Sequence, residues 1–462
     1  MATQMATQHT LATRLADWVA ELDYDRIPAP AVDAAKLLIL DQLGLQIHGA
    51  TLPNVQPELR LVDEMRAAPE STILHTAIRT TAPYAAFANG TLASSTEFDD
   101  VHMYAAHIGS HVVPPALAFA EKSGAAGREV ITAVVAGAQV MSVLGSTSVA
   151  RMVGRGWHGS KILGTFGAAA TSGKLLGLNA SQLAHALAVA GSDAGGGMEY
   201  EFGGGEVKRM HSGSAARLGA QAAILAQQGL TGPLTIFEGE RGIYRLFTGD
   251  DAVPAMPDST WQHFHIVDTA FRMYPTIGSA ATVLEGLRGL IGAHRFDWRN
   301  ITRIRVGLPA IAIGHGATTT HPTDAVSAQF STAFGIALML IHDGNTPADY
   351  LNPVLWTRPD IASVIDKVTA YADDFGPDAP ILSARIEIAF RDGTALSHLQ
   401  HGFRGHPDTP GRSEAVEEKF GRLVDGHIPP TAARRLIALT RDLEHQPHVD
   451  ELIRLTTRPS RT

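Results

Sequence analysis

The densest run of reactive side chains lies between Glu97 and His111, which reads Glu-Phe-Asp-Asp-Val-His-Met-Tyr-Ala-Ala-His-Ile-Gly-Ser-His. Three carboxylates (Glu97, Asp99, Asp100) and three histidines (His102, His107, His111) fall within fifteen residues. Histidine titrates near neutrality and a carboxylate can orient it, which is the equipment of general acid–base catalysis. The same donors suit zinc, manganese or iron. A polar loop running into a helix at Pro114 would need no chemistry at all. On this stretch alone the three readings stay open.

Three further polar islands accompany it. Arg155-Gly-Trp-His158-Gly-Ser-Lys161 sets one histidine among glycines, as where backbone passes close to something. Between Gly195 and Gly213, two glycine triplets lead through Lys208, Arg209 and His211 into a helix. Cations beside free backbone N–H groups at a helix start favour a carboxylate or phosphate ligand. The last island is Phe271-Arg272-Met273-Tyr274-Pro275-Thr276, where a helical pattern gives way to a mixed one. Ligand sites often form at such junctions.

Composition removes several chemistries. The 462 residues contain no cysteine, so disulfides, thiolate nucleophiles and cysteine-ligated iron–sulfur clusters are excluded. A net charge of -9 argues against a nucleic-acid surface. Only seven of the 37 basic residues are lysine, so a lysine inside a motif is uncommon here. No G-x-G-x-x-G follows a strand, and neither H-E-x-x-H nor G-x-S-x-G occurs. Gly173-Lys174 has the wrong spacing for a phosphate-binding loop. The apolar run Val130–Ala150 carries hydroxyls and reads as a buried helix, not a membrane span. The start of the chain lacks a secretory pattern, and a cytoplasmic location is expected.

The elements that must position these residues are mostly helical. Thr10 can cap a helix through Leu11, Leu15, Trp18, Val19 and Leu22, and Pro28 and Pro30 open another over 32–47. Further helices are expected over 112–122, 128–143, 164–176, 180–190 and 214–228, several with Ala and Gly on their packing faces, as in a tightly packed bundle. After about residue 268 strands appear at 301–308 and 381–390. Asp392-Gly393 turns the second of these into a hairpin partner over 395–401, and one apolar helix is expected at 325–341. Helices return at 415–423, 430–443 and 449–455. The expected architecture is mainly α. A large all-helical domain (1–268, completed by 412–462) is interrupted by a smaller α+β domain (269–411).

Taken together, the motifs resemble the MmgE/PrpD family, whose members include 2-methylcitrate dehydratase, cis-aconitate decarboxylase and iminodisuccinate epimerase. The resemblance rests on order and spacing along almost the entire chain. It includes Leu40-Asp41-Gln-Leu-Gly44, Asn89-Gly90-Thr91 before Phe98-Asp99-Asp100, and His107 seven positions before Pro114. It continues through Gly156-Trp157-His158, Lys208-Arg-Met-His211-Ser-Gly213, Tyr274-Pro275, Gln329-Phe-Ser331 and Lys419-Phe420. It implies a homodimer with an active site between domains that uses neither metal nor cofactor. By motif position His107, His158, Lys208 and Arg272 are the expected catalytic residues. Glu97, Asp99, His102, Arg209, His211 and Tyr274 are expected to bind substrate.

Departures accompany the match. Similar enzymes tend to have Asp at Glu97, Thr at Val101, Lys at Arg272, Tyr at Phe334, and Cys or His around Thr276. Arginine keeps lysine's charge but cannot shuttle a proton near neutrality, and phenylalanine loses a hydroxyl that could reach substrate. The expected chemistry is removal of a proton beside a carboxylate. His107 is the base, oriented by Glu97 or Asp99, and Lys208, Arg272 and Arg209 stabilise the anion. With His158 protonating a departing hydroxyl, the first expectation is a dehydratase of a small hydroxy-polycarboxylate. Epimerisation or decarboxylation on the same fold are the alternatives, and a metal-dependent hydrolase using His102, His107 and His111 is the alternative from another class.

Overall fold

The computed structural model describes residues 10–313, 320–342, 344–376 and 382–457. Its principal helices are α1 (Leu11–Glu21), α2 (Ala29–Gly49), α3 (Ala82–Ala93), α4 (Gly109–Ser123), α5 (Gly127–Gly145), α6 (Gly159–Leu175), α7 (Ala180–Asp193), α8 (Val207–Gln227), α9 (Gly278–Ala293), α10 (Ala325–Gln329), α11 (Thr332–Ile341) and α12 (Arg412–Val424). The strands that matter here are β1 (Asp100–Val101), β2 (Ala270–Phe271), β3 (Ile301–Leu308), β4 (Val368–Ala372), β5 (Ser383–Phe390) and β6 (Ala395–His401). The protein is mainly α with a smaller α+β region, as its sequence pattern requires.

Helices α3 to α8 form the bundle that carries the polar islands, with α6 and α8 packed along each other and α3 across α8. Small residues allow these crossings. A β-carbon at Gly213 of α8 would lie 2.1 Å from the Phe87 carbonyl of α3, and one at Gly164 of α6 would lie 2.0 Å from the His111 ring of α4. Helix α5 is long and apolar enough to cross a membrane, but nearly all of it is buried among its neighbours. It serves as a core helix.

The sheet has the order β4-β3-β5-β6, with β3 and β4 parallel and the other pairs antiparallel. Ala384, Ile386 and Ile388 of β5 face the core, and α9 covers β5 and β6. The Asp392-Gly393 turn forms as expected, with Gly393 at φ 85°. Ile381, the expected start of β5, and the first nine residues lie outside the described residues.

Two expectations change. The single apolar helix over 325–341 is two helices, because Ser331 adopts an extended conformation and its Oγ accepts the Phe334 N–H at 3.1 Å, capping α11. The break turns Gln329 and Phe330 toward the polar islands. Helix α8 begins at Val207, seven residues before the expected start, so Lys208, Arg209 and His211 all ride on its first two turns.

After the sheet, α12 returns to pack on α2. Their contact contains an ion pair, Asp41 to Lys419 at 2.6 Å, with both side chains fully buried. Lys419 Nζ also donates to the Phe98 carbonyl and sits 4.2 Å over the Phe98 ring. One lysine thereby fixes the chain just beside Glu97.

Candidate active site

The short β1–β2 ladder brings two islands together. Asp100 pairs with Phe271 and Val101 with Ala270, laying the His-rich loop on the segment that carries Arg272. The Arg272 side chain is 1% exposed and all its nitrogens are engaged. Nε donates to the Asp99 carbonyl at 2.8 Å, and Nη1 to the Thr276 carbonyl at 3.0 Å and Glu97 Oε2 at 3.3 Å. Nη2 donates to Asp99 Oδ1. From the other side, Lys208 Nζ reaches Glu97 Oε1 at 2.5 Å. Glu97 takes this position at φ 51°, in the left-handed region that non-glycine residues seldom occupy.

Burial works to raise the Glu97 carboxyl, but Lys208 and Arg272 outweigh it and hold it well below the usual carboxylate range. Asp99 is lowered in the same way: burial opposes ionisation, and His107 and Arg272 overcome it. Asp100 differs. Burial and then the Asp99 charge push it up to about 7, against the pull of the Ile108 and Gly109 N–H groups that it accepts at 2.7 and 2.8 Å.

His107 sits at the most open edge of this cluster, its side chain 17% exposed against 3% for Asp99. Its Nδ1 lies 2.7 Å from the Asp100 carbonyl and 3.6 Å from Asp99 Oδ1. A carbonyl only accepts, so Nδ1 carries the proton and Nε2 keeps its lone pair. The backbone of Asp100 thus fixes the tautomer, and Asp99 supplies the charge. Glu97, the other expected orienter, is committed to Lys208 and Arg272. Burial lowers the His107 pKa and Asp99 opposes that shift.

His158 and His211 meet through their Nδ1 atoms at 2.8 Å, so one donates and the other accepts. Tyr200 lies edge-on to both rings. Burial, and then the neighbouring His211 imidazole, drives His158 well below its ordinary value. Burial followed by Lys161 and Lys208 takes His211 to about 4. Of the glycines around His158, Gly156 takes a left-handed conformation at φ 82°, and a β-carbon at Gly159 would lie 2.9 Å from the Val149 side chain. The His158 backbone meets the first glycine triplet. Its N–H donates to the Gly196 carbonyl at 2.8 Å, and Trp157 bridges to Gly197, which stitches this island to the first glycine triplet.

Other expected site residues are engaged elsewhere. Arg209 pairs with Glu206, donates to the Ser95 carbonyl and reaches Gln329 Oε1 at 3.4 Å, making it a clamp behind the loop and not a free cation. The Tyr274 hydroxyl is directed to Glu285 Oε2 at 3.3 Å. Phe334 is fully buried against Tyr350, with ring centroids 5.7 Å apart, and presents nothing to a substrate. Sequence reasoning did not single out Gln329 as functional, yet its Nε2 donates to the Thr96 carbonyl at 2.7 Å and braces the turn into Glu97. Its motif Gln329-Phe-Ser331 was the available signal.

The histidine trio proposed for a metal is not assembled. His111 Nδ1 contacts the His107 carbonyl at 2.9 Å, and no group of described residues combines His102, His107 and His111. His102, His265 and Asp268 do converge, but His102 Nδ1 accepts the N–H groups of Tyr104 and Ala105, both at 3.2 Å. Its Nε2 must then carry the proton, which it donates to the His265 carbonyl at 3.0 Å. No lone pair is left for a metal, and burial lowers this histidine to about 4, keeping it neutral. Both ring nitrogens of His102 are therefore engaged in holding the loop.

The fold and this charged cluster occur together in a known enzyme family. Residues 13–255 match the MmgE/PrpD N-terminal domain and residues 274–445 the MmgE/PrpD C-terminal domain, and the chain belongs to the MmgE/PrpD family. It is 28% identical to the cis-aconitate decarboxylase-like protein oryM of Aspergillus oryzae, covering 98% of each chain. It is 27% identical to the cis-aconitate decarboxylase of Homo sapiens, over 93% of this chain and 91% of that one. With the cis-aconitate decarboxylase of Aspergillus terreus the identity is 25%, over 97% and 96%.

Proposed function

We propose that this protein decarboxylates a small unsaturated tricarboxylate of the cis-aconitate type. The observation that carries the choice is the His158–His211 pair. Dehydration, the first expectation from sequence, needs an acid to protonate a departing hydroxyl. His158, the group expected to do so, has a second imidazole at its Nδ1, whereas His107 has the Asp99 carboxylate 3.6 Å away to favour its protonated form. Decarboxylation needs no such acid, and it agrees with the names of the relatives.

The step is an allylic shift. The bond from the departing carboxylate to its CH2 carbon breaks, and its electron pair forms a new double bond to the central carbon. The old double-bond pair moves to the far alkene carbon, which takes one proton, and carbon dioxide leaves. Negative charge gathers beside the far carboxylate during the shift, where fixed positive charge lowers the barrier. His107 delivers the proton from Nε2. The incoming trianion and Asp99 both favour its protonated form, so the proton is taken up as substrate binds and is given to carbon. Lys208 stabilises the developing charge, and Arg272 holds Asp99 and Glu97 in place. The homodimer belongs to the same proposal; sedimentation velocity checks it, with a monomer mass against it.

Incubating the purified protein separately with cis-aconitate, 2-methylcitrate, citrate and iminodisuccinate, with mass spectrometry of the products, tests the reading. It predicts loss of 44 mass units, the mass of carbon dioxide, from cis-aconitate. Loss of water from 2-methylcitrate or citrate, with cis-aconitate untouched, would overturn it.

A further inference from the structure

Resting on that reading, one charge remains to be matched. A tricarboxylate brings three negative charges, whereas the cations nearest His107 are already balanced. Lys208 is paired with Glu97, Arg272 with Asp99 and Glu97, and Arg209 with Glu206.

Lys161 is different. It lies in the first turn of α6, three residues after His158, and is half-buried. Among the described residues no carboxylate lies within ion-pairing distance of its ammonium. Its Nζ and the His211 Cε1 each lie 3.4 Å from the position a β-carbon would take at Gly196. The Lys161 stem fills that space, its Cδ lying 2.7 Å from the same position, which Gly196 at φ 130° leaves free of a side chain of its own. Lys161 therefore runs over Gly196 to the edge of the histidine pair. The charge it feels most is the like charge of Arg217, whose guanidinium donates to Gln221 at 3.1 Å and also lacks a described carboxylate partner. Burial and Arg217 both lower the Lys161 pKa, as expected of a cation kept without its counter-charge. Ordinary structural lysines here look otherwise: Lys36 pairs with Glu444, Lys122 with Glu70, and Lys174 donates to the Val19 and Ala20 carbonyls.

We propose that Lys161 is a substrate-binding residue whose ammonium takes one carboxylate of the substrate beside the His158–His211 pair, and that it makes the site selective for tricarboxylates over dicarboxylates. The contact is a charge-assisted hydrogen bond, of the kind worth roughly 1.5–3 kcal/mol, or about 12- to 140-fold in affinity.

The test measures binding apart from turnover, using propane-1,2,3-tricarboxylate, which has no double bond to accept the electron pair. Calorimetry on the wild type, Lys161→Met and Lys161→Arg is run with this ligand and with glutarate, and kcat and KM are measured with cis-aconitate. The expected result is a tricarboxylate Kd raised at least tenfold in Lys161→Met and largely restored in Lys161→Arg. Glutarate binding should stay within about twofold and KM should rise more than kcat falls. An unchanged tricarboxylate Kd in a Lys161→Met protein with wild-type circular dichroism would overturn the proposal. If that variant also keeps its KM while the wild type turns over cis-aconitate, Lys161 is excluded and the decarboxylase reading stands. If tricarboxylate binding depends on Lys161 but cis-aconitate is not consumed, the decarboxylase reading falls and Lys161 stands. A wild type that binds no polycarboxylate contradicts both.

Discussion

Glu97 and Arg272 touch each other, and both depart from the residues that similar enzymes tend to carry at these positions. Glu97 is one methylene longer than aspartate and spans from Lys208 to Arg272, while Arg272 offers a fork where a lysine would offer a point charge. The two departures therefore read as one exchange. Reverting either alone should leave a buried charge imperfectly paired, so Glu97→Asp and Arg272→Lys should each cost more than the double variant implies. A coupling of about 0.5–3 kcal/mol in kcat/KM or unfolding is expected; strict additivity would contradict it. In the proposed reaction His107 delivers the proton. Its replacement by Asn should lower turnover roughly 100- to 10,000-fold with the fold intact by circular dichroism. The sequence displayed these residue types and their order, but it did not show which were spent on one another. Arg209, His102 and Tyr274 looked like substrate ligands because their partners (Glu206, two backbone N–H groups, Glu285) could not be known before the chain was folded.

At the scale of elements, the site depends on where α8, the 97–111 loop and α12 are held. Gly213 lets α8 lie close on α3, which sets Lys208 opposite Glu97, and Lys419 ties α12 and α2 to Phe98. Removing one partner of a buried pair leaves the other uncompensated, typically at about 3–5 kcal/mol. Lys419→Met should therefore lower stability by that amount in urea unfolding; a loss under 1 kcal/mol would show that the pair is not a structural anchor. Most helices and the β5–β6 hairpin were legible, since amphipathic spacing and Asp-Gly turns are local signals. Helix α9 went unread although Val283, Leu284, Leu287 and Leu290 recur at helical spacing. Strand β4 is a half-exposed edge strand without alternation, and only its pairing with β3 defines it. The break at Ser331 was hidden because Ser327, Ser331 and Thr332 all lie inside the apolar run and nothing local says which of them caps a helix.

At the scale of the whole molecule, acid should unfold this protein through its histidines. His48 and His102 are lowered to about 4 and His111 to about 3, chiefly by burial. Their neutral forms belong to the folded state, and the unfolded chain takes up protons from its ordinary value of about 6.5 downward. The stability they contribute is complete above that pH and is lost as pH falls toward 4 and below. Each can add up to about 1.4 kcal/mol per pH unit to the slope. Calorimetric Tm should be flat from pH 8 to 7 and fall steeply from 6 to 4; a flat profile to pH 4 would contradict this.

NMR of cis-aconitate turnover in D2O follows the proposed proton delivery directly. One equivalent of carbon dioxide, a new terminal methylene and a single deuterium on the carbon beside the far carboxylate are expected. His107→Asn should abolish all three signals together. Deuterium exchange into substrate without loss of carbon dioxide, or an unchanged rate in His107→Asn, would contradict it.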